Sequence, residues 1–438
     1  MRSASASKRP NKTSIQVSDG VPGAATTLGA NRNFRLLFSA SAVSNLGDGL
    51  STMALPWLAT LFTCDPFLIG LAATAGRLPW LLFTLPAGVL TDRHDRRQIM
   101  LRADLVRFVL MIGVLGMVLS APALPLPEGA GRMQILMLAA LSFCLGTAEV
   151  LRDNAAQTVL PSIVAPHQLE AANGRMWSVE WTLNYLIGPP LAGLLIGMGI
   201  AIPLGLDAAS FAIAATLVWL ITLPVRPVRA PARFRAQLAE GIAWFRAHPL
   251  IWRLALMLSL SNFFYVLTLT GTVLFAQEVL GLSASRYGIA LSAGAVGGVV
   301  MGLVAPRLTG RMGMRATMLA AIAIMIMAYA ALAATRSPAV LSLALALESG
   351  SAMLWNVVTV SYRQRLIPDD LLGRVNSIYR MFGWGSMPLG ALAAGALIAA
   401  LEAPIGREAA LRLPYALATL ANLGLLALAL LWLPRRVA

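Results

Sequence analysis

Charged residues, cysteines and histidines are all scarce in this sequence, and their scarcity excludes several classes of protein. Only 12% of the 438 residues are charged while 58% are hydrophobic, and a soluble protein of this length could not bury so much apolar surface. The two cysteines, Cys64 and Cys144, have no metal-binding spacing, and we interpret them as ordinary small apolar residues. The chain also lacks a phosphate-binding loop and any recurrent nucleophile–base or metal set, so we predict no enzyme activity, no cofactor and no metal.

Apolar runs of about 20 residues recur along the whole chain, which is the length of an α-helix that crosses a bilayer. We count about twelve, at roughly 34–62, 67–90, 99–119, 133–151, 174–199, 202–223, 250–278, 285–306, 316–335, 338–361, 375–400 and 411–433. Residues 1–30 have the composition of a disordered cytoplasmic tail. We therefore predict an all-α membrane protein with an N-terminal six-helix bundle at 31–223 and a C-terminal six-helix bundle at 250–434. Between them, residues 224–249 have the pattern of an amphipathic linker helix on the inner membrane surface.

Most of the net charge of +15 comes from arginines in short loops between the predicted spans. A basic balance can indicate nucleic-acid binding, but arginine in short loops follows the positive-inside rule, and we predict no nucleic-acid partner. Most loop arginines fall in the loops that would share a membrane side with the two termini. We therefore predict that both termini lie in the cytoplasm, which fits an even number of spans. We expect a multi-pass monomer in the inner (plasma) membrane.

One charged turn organises the sequence, and it occurs twice. Residues 88–97, Gly-Val-Leu-Thr-Asp-Arg-His-Asp-Arg-Arg, separate the second and third spans and must lie at a membrane face. Four of its residues recur 218 positions later in the chain (308 − 90 = 218), as Leu308, Thr309, Arg311 and Arg315. The third span then begins inside a further cluster, Arg102, Asp104 and Arg107. A repeat in the same orientation predicts two similar blocks that can rock about a site between them, as transporters do.

These motifs resemble those of a known family. The turn Gly88-x-Leu90-x-Asp92-Arg93-x-x-Arg96-Arg97 resembles the loop two–three signature of the major facilitator superfamily. The run Gly188-Pro189-Pro190-Leu191-Ala192-Gly193 resembles the signature of its drug/proton antiporters, and Asn45–Gly49, Ala54–Trp57 and Leu78–Trp80 look like the branch of macrolide and siderophore exporters. Asp95 stands where the superfamily usually has glycine, so we expect a different backbone geometry in this turn.

The resemblance implies a gate at the charged turn. Asp92 would pair with Arg96 and with the N-terminus of span eleven near 374–376, and contacts of this kind contribute about 0.3–2 kcal/mol, which suits a latch. The residues of the predicted gate are Gly88, Asp92, Arg93, Arg96, Arg97, Glu149 and Asp153. The alternative is a solvated loop governed by topology alone. Gly188, Pro189 and Gly193 leave a strip of small residues that would either seal the two bundles against each other or simply pack helices.

Asp48 is the most informative single residue, because a carboxylate in the middle of a span is costly and usually functional. A low dielectric favours the neutral form of a carboxyl group, as proton coupling requires, and Gly47 and Gly49 beside it allow close approach of another helix. Arg77 is the expected counter-ion, or an anchor for an anionic substrate; the alternative for Asp48 is a structural hydrogen bond. Further candidates for proton or substrate coupling are Glu180, Asn184, Glu348, Asn356 and Arg380.

We predict a secondary transporter that exports a small amphipathic organic compound in exchange for protons. Its energy must come from an ion or substrate gradient, because no nucleotide-binding loop and no long soluble domain are present. An importer or facilitator is one alternative, and a membrane sensor that binds without transport is another.

Overall fold

The structure is a computed structural model that describes residues 27–223 and 234–433, and all regular structure in these two ranges is helical. The predicted all-α architecture is therefore confirmed. The helices are α1 (Arg32–Phe62), α2 (Pro66–Arg93), α3 (Arg96–Ser120), α4 (Arg132–Ile163), α5 (Leu169–Glu180), α6 (Gly188–Met198), α7 (Ala201–Trp219), α8 (Phe234–Ala247), α9 (Pro249–Leu274), α10 (Ala284–Ala334), α11 (Pro338–Leu366), α12 (Asp369–Gly385), α13 (Met387–Ile405) and α14 (Arg407–Trp432). Two π-helical segments occur, Trp181–Ile187 between α5 and α6 and Phe275–Val279 after α9.

Within the described ranges, nine helical segments are long and apolar enough to cross a membrane. One of them, α10, has 51 residues and contains Gly313 in a non-helical conformation with φ +79°. Gly298 of its first part lies against Ser349, and Ala321 of its second part accepts a hydrogen bond from Ser351. A straight helix would hold Gly298 and Ala321 about 35 Å apart. The chain therefore reverses near Gly313, which matches two of our predicted spans, while the total of twelve stays a prediction.

Two predicted spans have the wrong boundaries. Span four was expected to end near residue 151, but α4 continues to Ile163, because Arg152 is buried inside the protein and not solvated in a loop. Span eleven was expected as one helix, but α12 ends at Gly385 and α13 begins at Met387. The hydroxyl of Ser386 at this break donates to the carbonyl of Ser259, 2.7 Å away, and fixes the break against α9.

The helices α1–α7, here called the N-terminal half, pack mainly on one another, and so do α9–α14, the C-terminal half. Helix α2 against α13 and helix α6 against α10 make the main contacts between the halves. Helix α8 packs on α9 and α12, where Phe245 is buried and stacks on Phe382 with ring centroids 5.7 Å apart. The boundaries of the two bundles stay predictions. Residues 1–26 of the predicted tail and residues 224–233 of the predicted linker lie outside the described residues.

The repeat in the sequence corresponds to a repeated contact. Arg97 donates to the carbonyl of Trp219 at 2.7 Å, and Arg315, which is 218 positions later, donates to Leu430 at 2.8 Å. The backbone between the helices differs between the two copies, while the expected difference from the superfamily's usual turn stays a prediction. Asp95 caps α3 with φ −64°, and its carboxylate accepts from the first backbone amides of the helix. The equivalent Gly313 has φ +79°, a conformation that favours glycine.

Candidate functional site

A chain of ion pairs connects α1, α3 and α4 inside the N-terminal half. Asp48 pairs with Arg107, and Arg107 lies 3.7 Å from Asp104. Asp104 lies 3.5 Å from Arg152, which also pairs with Asp153 at 3.5 Å. We call these five residues the ion cluster. The side chain of Asp104 is 0% exposed and that of Arg107 is 3% exposed, whereas that of Asp48 is 23% exposed. Asp48 is therefore the acid of the Asp48–Arg107–Asp104 run that water can reach.

Arg107 is held in place by three contacts besides its ion pair with Asp104. Its guanidinium lies 3.9 Å from the centroid of the Phe211 ring, and its Nη1 donates to the hydroxyl of Ser44 at 3.2 Å. The third contact is the ion pair with Asp48. Our expectation that Arg77 is the counter-ion of Asp48 is therefore wrong. The reason is tertiary, since α3 and not α2 brings an arginine to Asp48.

Asp207, in the middle of α7, is a buried carboxylate that our sequence reasoning missed. It accepts hydrogen bonds from Ser51 and, at 3.4 Å, from Ser210. It lies so close to α1 that a Cβ atom on Gly47 would be 2.4 Å from its Oδ1. Asp207 is the single charged residue of its helix, so the rule that selected Asp48 would also have selected it. The sequence also contained a signal for the pair Asp104 and Arg107, because an acid and a base three positions apart in an apolar helix share one face and can interact.

The π-helical segment holds two of the predicted coupling residues beside α1. Glu180 ends α5 and is half-buried, and Asn184 lies within the π-helix, where its side-chain oxygen is buried with no hydrogen-bond partner in the described part of the chain. A Cβ atom on Gly49 would be 2.7 Å from the carbonyl oxygens of Leu183 and Asn184. Gly49 thus permits the close approach that we expected, and π-helical turns are frequent at functional sites.

In the C-terminal half, no hydrogen bond or ion pair among the described residues joins Glu348, Asn356 and Arg380. Glu348 is 4% exposed, and Tyr329 is its polar neighbour. Asn356 is exposed. Arg380 is exposed as well, and its guanidinium lies 4.6 Å from the centroid of the Trp384 ring.

Arg77 of α2 lies within electrostatic range of titratable groups from both halves. The titratable groups that act on it are Glu149 and Tyr185 of its own half and Tyr265 of the other half. Tyr265 in turn interacts with Glu348.

The residues of the predicted gate are tied to their own half in the described contacts. Arg96 donates to the carbonyls of Thr91 at 3.4 Å and Thr158 at 2.8 Å, and Arg97 donates to Trp219. Arg93 is exposed, and the space around the Cβ position of Gly88 is open. Glu149 and Asp153 lie with the ion cluster instead of the turn. The side chains of Asp92, Arg374 and Asn376 lie outside the described residues, so the latch to the C-terminal half stays a prediction.

Among the described residues, contacts between the halves concentrate towards one end of the molecule, which we call the α1–α2 end because it contains the connection at 63–65. In the described residues, the hydrogen bonds that join the halves extend from this end to about mid-depth. They are Arg407 to the carbonyl of Cys64 (3.0 Å), Gln277 to Thr60 (3.0 Å), Ser285 to Gly193 (3.3 Å), Ser292 to Leu186 (2.9 Å) and Thr74 to Pro388 (3.3 Å).

Glycines allow this close packing. A Cβ atom on Gly193 would lie 2.5 Å from the carbonyl oxygen of Ala284, and one on Gly288 would lie 2.4 Å from that of Pro189. On the other side of the molecule, Gly70 and Gly395 meet in the same way, with a Cβ on Gly70 only 2.8 Å from the Cα of Gly395. The predicted strip of small residues in α6 therefore contacts α10 of the other half, and Gly188 contacts Gly49 of α1.

Two tryptophans close the boundary between the halves at mid-depth. Trp80 of α2 and Trp384 of α12 meet edge to face, with ring centroids 4.9 Å apart. A groove of about 380 Å³ lies nearby between α2 and α4, and Phe143 and Cys144 belong to its lining. This groove has no charged side chain, so it offers no anchor for a charged compound.

Comparison with known proteins gives a consistent result. Residues 26–433 match the family described as transmembrane secretion effector. The multidrug efflux pump Tap of Mycolicibacterium fortuitum is 26% identical over 374 residues, which cover 83% of this chain and 88% of that protein. The enterobactin exporter EntS of Salmonella typhi is 27% identical over 408 residues, which cover 91% of each protein. A bacterial homologue of the iron transporter ferroportin, in its inward-facing state, has the same fold, with a TM-score of 0.73, 17% identity and coverage of 93% of this chain and 99% of that one.

Proposed function

The chain belongs to the transmembrane secretion effector family of major facilitator transporters, and from this premise we propose that it exports a small amphipathic organic compound in exchange for protons. Its relatives are named for the efflux of drugs and of enterobactin, which supports export of an organic compound across the inner (plasma) membrane. The observation that supports proton coupling is the ion pair between the partly exposed Asp48 and the buried Arg107.

The composition of the ion cluster supports a proton-binding role. It contains three carboxylates and two guanidinium groups, and Glu149 adds a further acid beside them, so the acids outnumber the arginines and uptake of a proton reduces the excess negative charge. Water reaches the acids at both ends of the cluster, since the side chain of Asp48 is 23% exposed and that of Asp153 is 36% exposed. We take Asp48 as the acceptor because it lies on α1, where Gly49 packs against the π-helical segment. Protonation of Asp48 weakens its pair with Arg107 and changes how α1 is held against α3. Glu180 and Asp207 on neighbouring helices are further acids through which a proton can be passed or shared.

The distribution of contacts supports alternating access. The halves meet at the α1–α2 end through glycine backbones and hydrogen bonds, as in a transporter that is closed on one side. By the positive-inside rule the α1–α2 end faces outwards, so we assign this state as inward-facing. The glycines of α6 then seal the outer side, and the turn at 88–97 would latch the inner side in the opposite state.

Flux in membrane vesicles of both orientations tests this proposal. In everted vesicles from cells that lack other efflux pumps, we expect uptake from a panel of amphipathic compounds when the vesicle interior is acidic. A protonophore should abolish it. Equal flux in both orientations without dependence on the pH gradient would indicate a facilitator, and binding without any flux would indicate a sensor. Either outcome would contradict exchange with protons.

Arg407 provides a further prediction about the closed end. It donates to the carbonyl of Cys64 across the boundary and to Glu278 at 2.9 Å within its own half, and it is about one-third exposed. Exposed charge contacts of this kind contribute about 0.2–1 kcal/mol each. We expect Arg407→Gln to open the α1–α2 end about two- to fivefold more often. The measurement is the rate at which an impermeant maleimide labels a cysteine introduced at Thr60 after Cys64 and Cys144 are replaced by serine. Every variant is compared with the same Thr60→Cys parent, because this change also removes the hydrogen bond from Gln277.

The matched control for Arg407→Gln is Arg336→Gln. Arg336 pairs with Glu408 at 3.0 Å at the same end of the molecule, but both residues belong to the C-terminal half. The control should leave the labelling rate unchanged. Equal labelling rates in the two variants would show that Arg407 does not hold the halves together.

A further inference from the structure

Each half contributes one arginine and one tryptophan to the mid-depth boundary. Arg77 and Trp80 are three residues apart on α2, and Arg380 and Trp384 are four residues apart on α12, so each pair lies on one helix face. The two indole rings contact each other, and the Arg380 guanidinium lies over the Trp384 ring. We call these four residues the Arg–Trp site.

The two arginines of this site form no ion pair in the part of the chain that the structure describes, although Glu149 acts on Arg77 from α4. In the described part of the chain, Arg77 and Arg380 have no carboxylate within 4.0 Å, unlike the arginines of the ion cluster. Arg363 adds a further positive charge on this side of the C-terminal half, and its guanidinium is 3.6 Å from the ring centroid of Tyr379. An uncompensated cation at membrane depth is costly. A negatively charged ligand would offset this cost.

The order of the four residues along the helices defines a path. Helix α2 runs away from the α1–α2 end and α12 runs towards it, so Arg77 lies one turn nearer to that end than Trp80. Arg380 lies one turn farther from it than Trp384. The tryptophan pair therefore lies between the two arginines. Arg380, which is exposed, is on the side away from the α1–α2 end, and Arg77, which is more enclosed, is on the side of that end.

We propose that the Arg–Trp site binds an anionic aromatic compound, with its carboxylate, phenolate or sulfonate on Arg380 and its ring against Trp384 and Trp80. The inference rests on the proposed transport function and names the chemical class of its substrate. A charged group of the ligand would replace the missing carboxylate beside Arg380 through charge-assisted hydrogen bonds. When the halves separate, the tryptophan rings part and the anion passes to Arg77.

Binding of three probes that share a ring and differ in charge tests this inference. The probes are naphthoate, naphthylmethanol and naphthylmethylammonium, measured by equilibrium dialysis with the full-length protein in lipid nanodiscs. We expect naphthoate to bind at least about tenfold more tightly than the ammonium probe, with the alcohol between them. Wild-type protein that binds the cation as tightly as the anion would overturn the inference, and this comparison needs no variant.

Variants then locate the anion. Arg380→Gln should weaken naphthoate binding about tenfold and leave the alcohol within about twofold, whereas Arg380→Lys should keep naphthoate within about threefold. Arg253→Gln is the matched control, because Arg253 lies 5.7 Å from the ring centroid of Trp432 within one half. Unchanged naphthoate affinity in a correctly folded Arg380→Gln protein would overturn the assignment.

The binding assay is independent of the transport assay. It uses no proton gradient, so selective naphthoate binding by a protein that shows no proton-driven flux would leave this inference intact and contradict the proposed function. Conversely, proton-driven efflux of a cation together with no preference for naphthoate would support the proposed function and overturn this inference.

Discussion

Asp48→Asn is expected to lose efflux driven by the pH gradient while the protein still folds. The amide cannot take up and release a proton, so transport loses its coupling. Coupling free energies of about 1–3 kcal/mol correspond to changes of about 5–150-fold in an equilibrium constant, and we expect the rate of gradient-driven efflux to fall about 10- to 100-fold. The fold should survive because Arg107 keeps Asp104 at 3.7 Å and Ser44 at 3.2 Å. Flux in everted vesicles and thermal unfolding of the purified protein measure the two effects.

Two comparison variants separate coupling from stability. Asp104→Asn should instead destabilise the protein by about 3–5 kcal/mol, because the fully buried Asp104 lies between Arg107 and Arg152 and its loss weakens two ion pairs at once. Asp65→Asn is the matched control, since Asp65 is an exposed N-cap that accepts from Phe67 and Leu68, and asparagine caps helices equally well. Gradient-driven efflux by Asp48→Asn within about twofold of wild type would rule Asp48 out as the coupling acid.

Gly193→Ala is expected to prevent closure at the α1–α2 end. The added Cβ would lie 2.5 Å from the carbonyl oxygen of Ala284 and 3.0 Å from the Cα of Ser285, and neither backbone atom can move aside as a flexible side chain could. Overpacking of this kind costs about 1–3 kcal/mol, so the closed state should become about tenfold less populated. Labelling of a cysteine at Thr60 should accelerate correspondingly, and efflux should fall.

Gly424→Ala is the control for this substitution. Gly424 lies in α14, and no atom comes within 4 Å of its Cβ position, so alanine should change neither labelling nor efflux. If Gly193→Ala folded normally and was labelled as slowly as its parent, the glycines of α6 would serve ordinary helix packing, which is the alternative that the sequence left open.

Much of the architecture could be predicted from the sequence. Apolar runs placed the ends of α1, α2, α3, α7, α9 and α14 within a few residues of their observed positions. The 218-residue repeat placed Arg97 and Arg315 in equivalent positions, and the structure gives them the same kind of contact with a helix end. These features depend on local chemistry, because a helix in lipid must satisfy its own backbone and present apolar side chains.

The pairing of charged residues was not predictable in the same way. Asp48 was selected from the sequence, but its partner is Arg107 on α3 and not Arg77 on α2. Asp207 was overlooked, although it lies against Gly47 of α1. The end of α4 was misplaced because Arg152 reads as a loop residue when its partner Asp104 is unknown.

The sequence by itself determined that this protein is an α-helical membrane protein with a duplicated plan and with ionisable groups inside its spans. Length, hydrophobicity and the positions of arginine are sufficient for this, because the bilayer imposes the same requirement on every span. Only the tertiary structure decided which acid meets which base, which glycines let the halves touch, and that the tryptophans of opposite halves meet between two arginines. These features depend on contacts between residues far apart in the chain, and helix periodicity specifies which face a side chain occupies but not which helix lies opposite it.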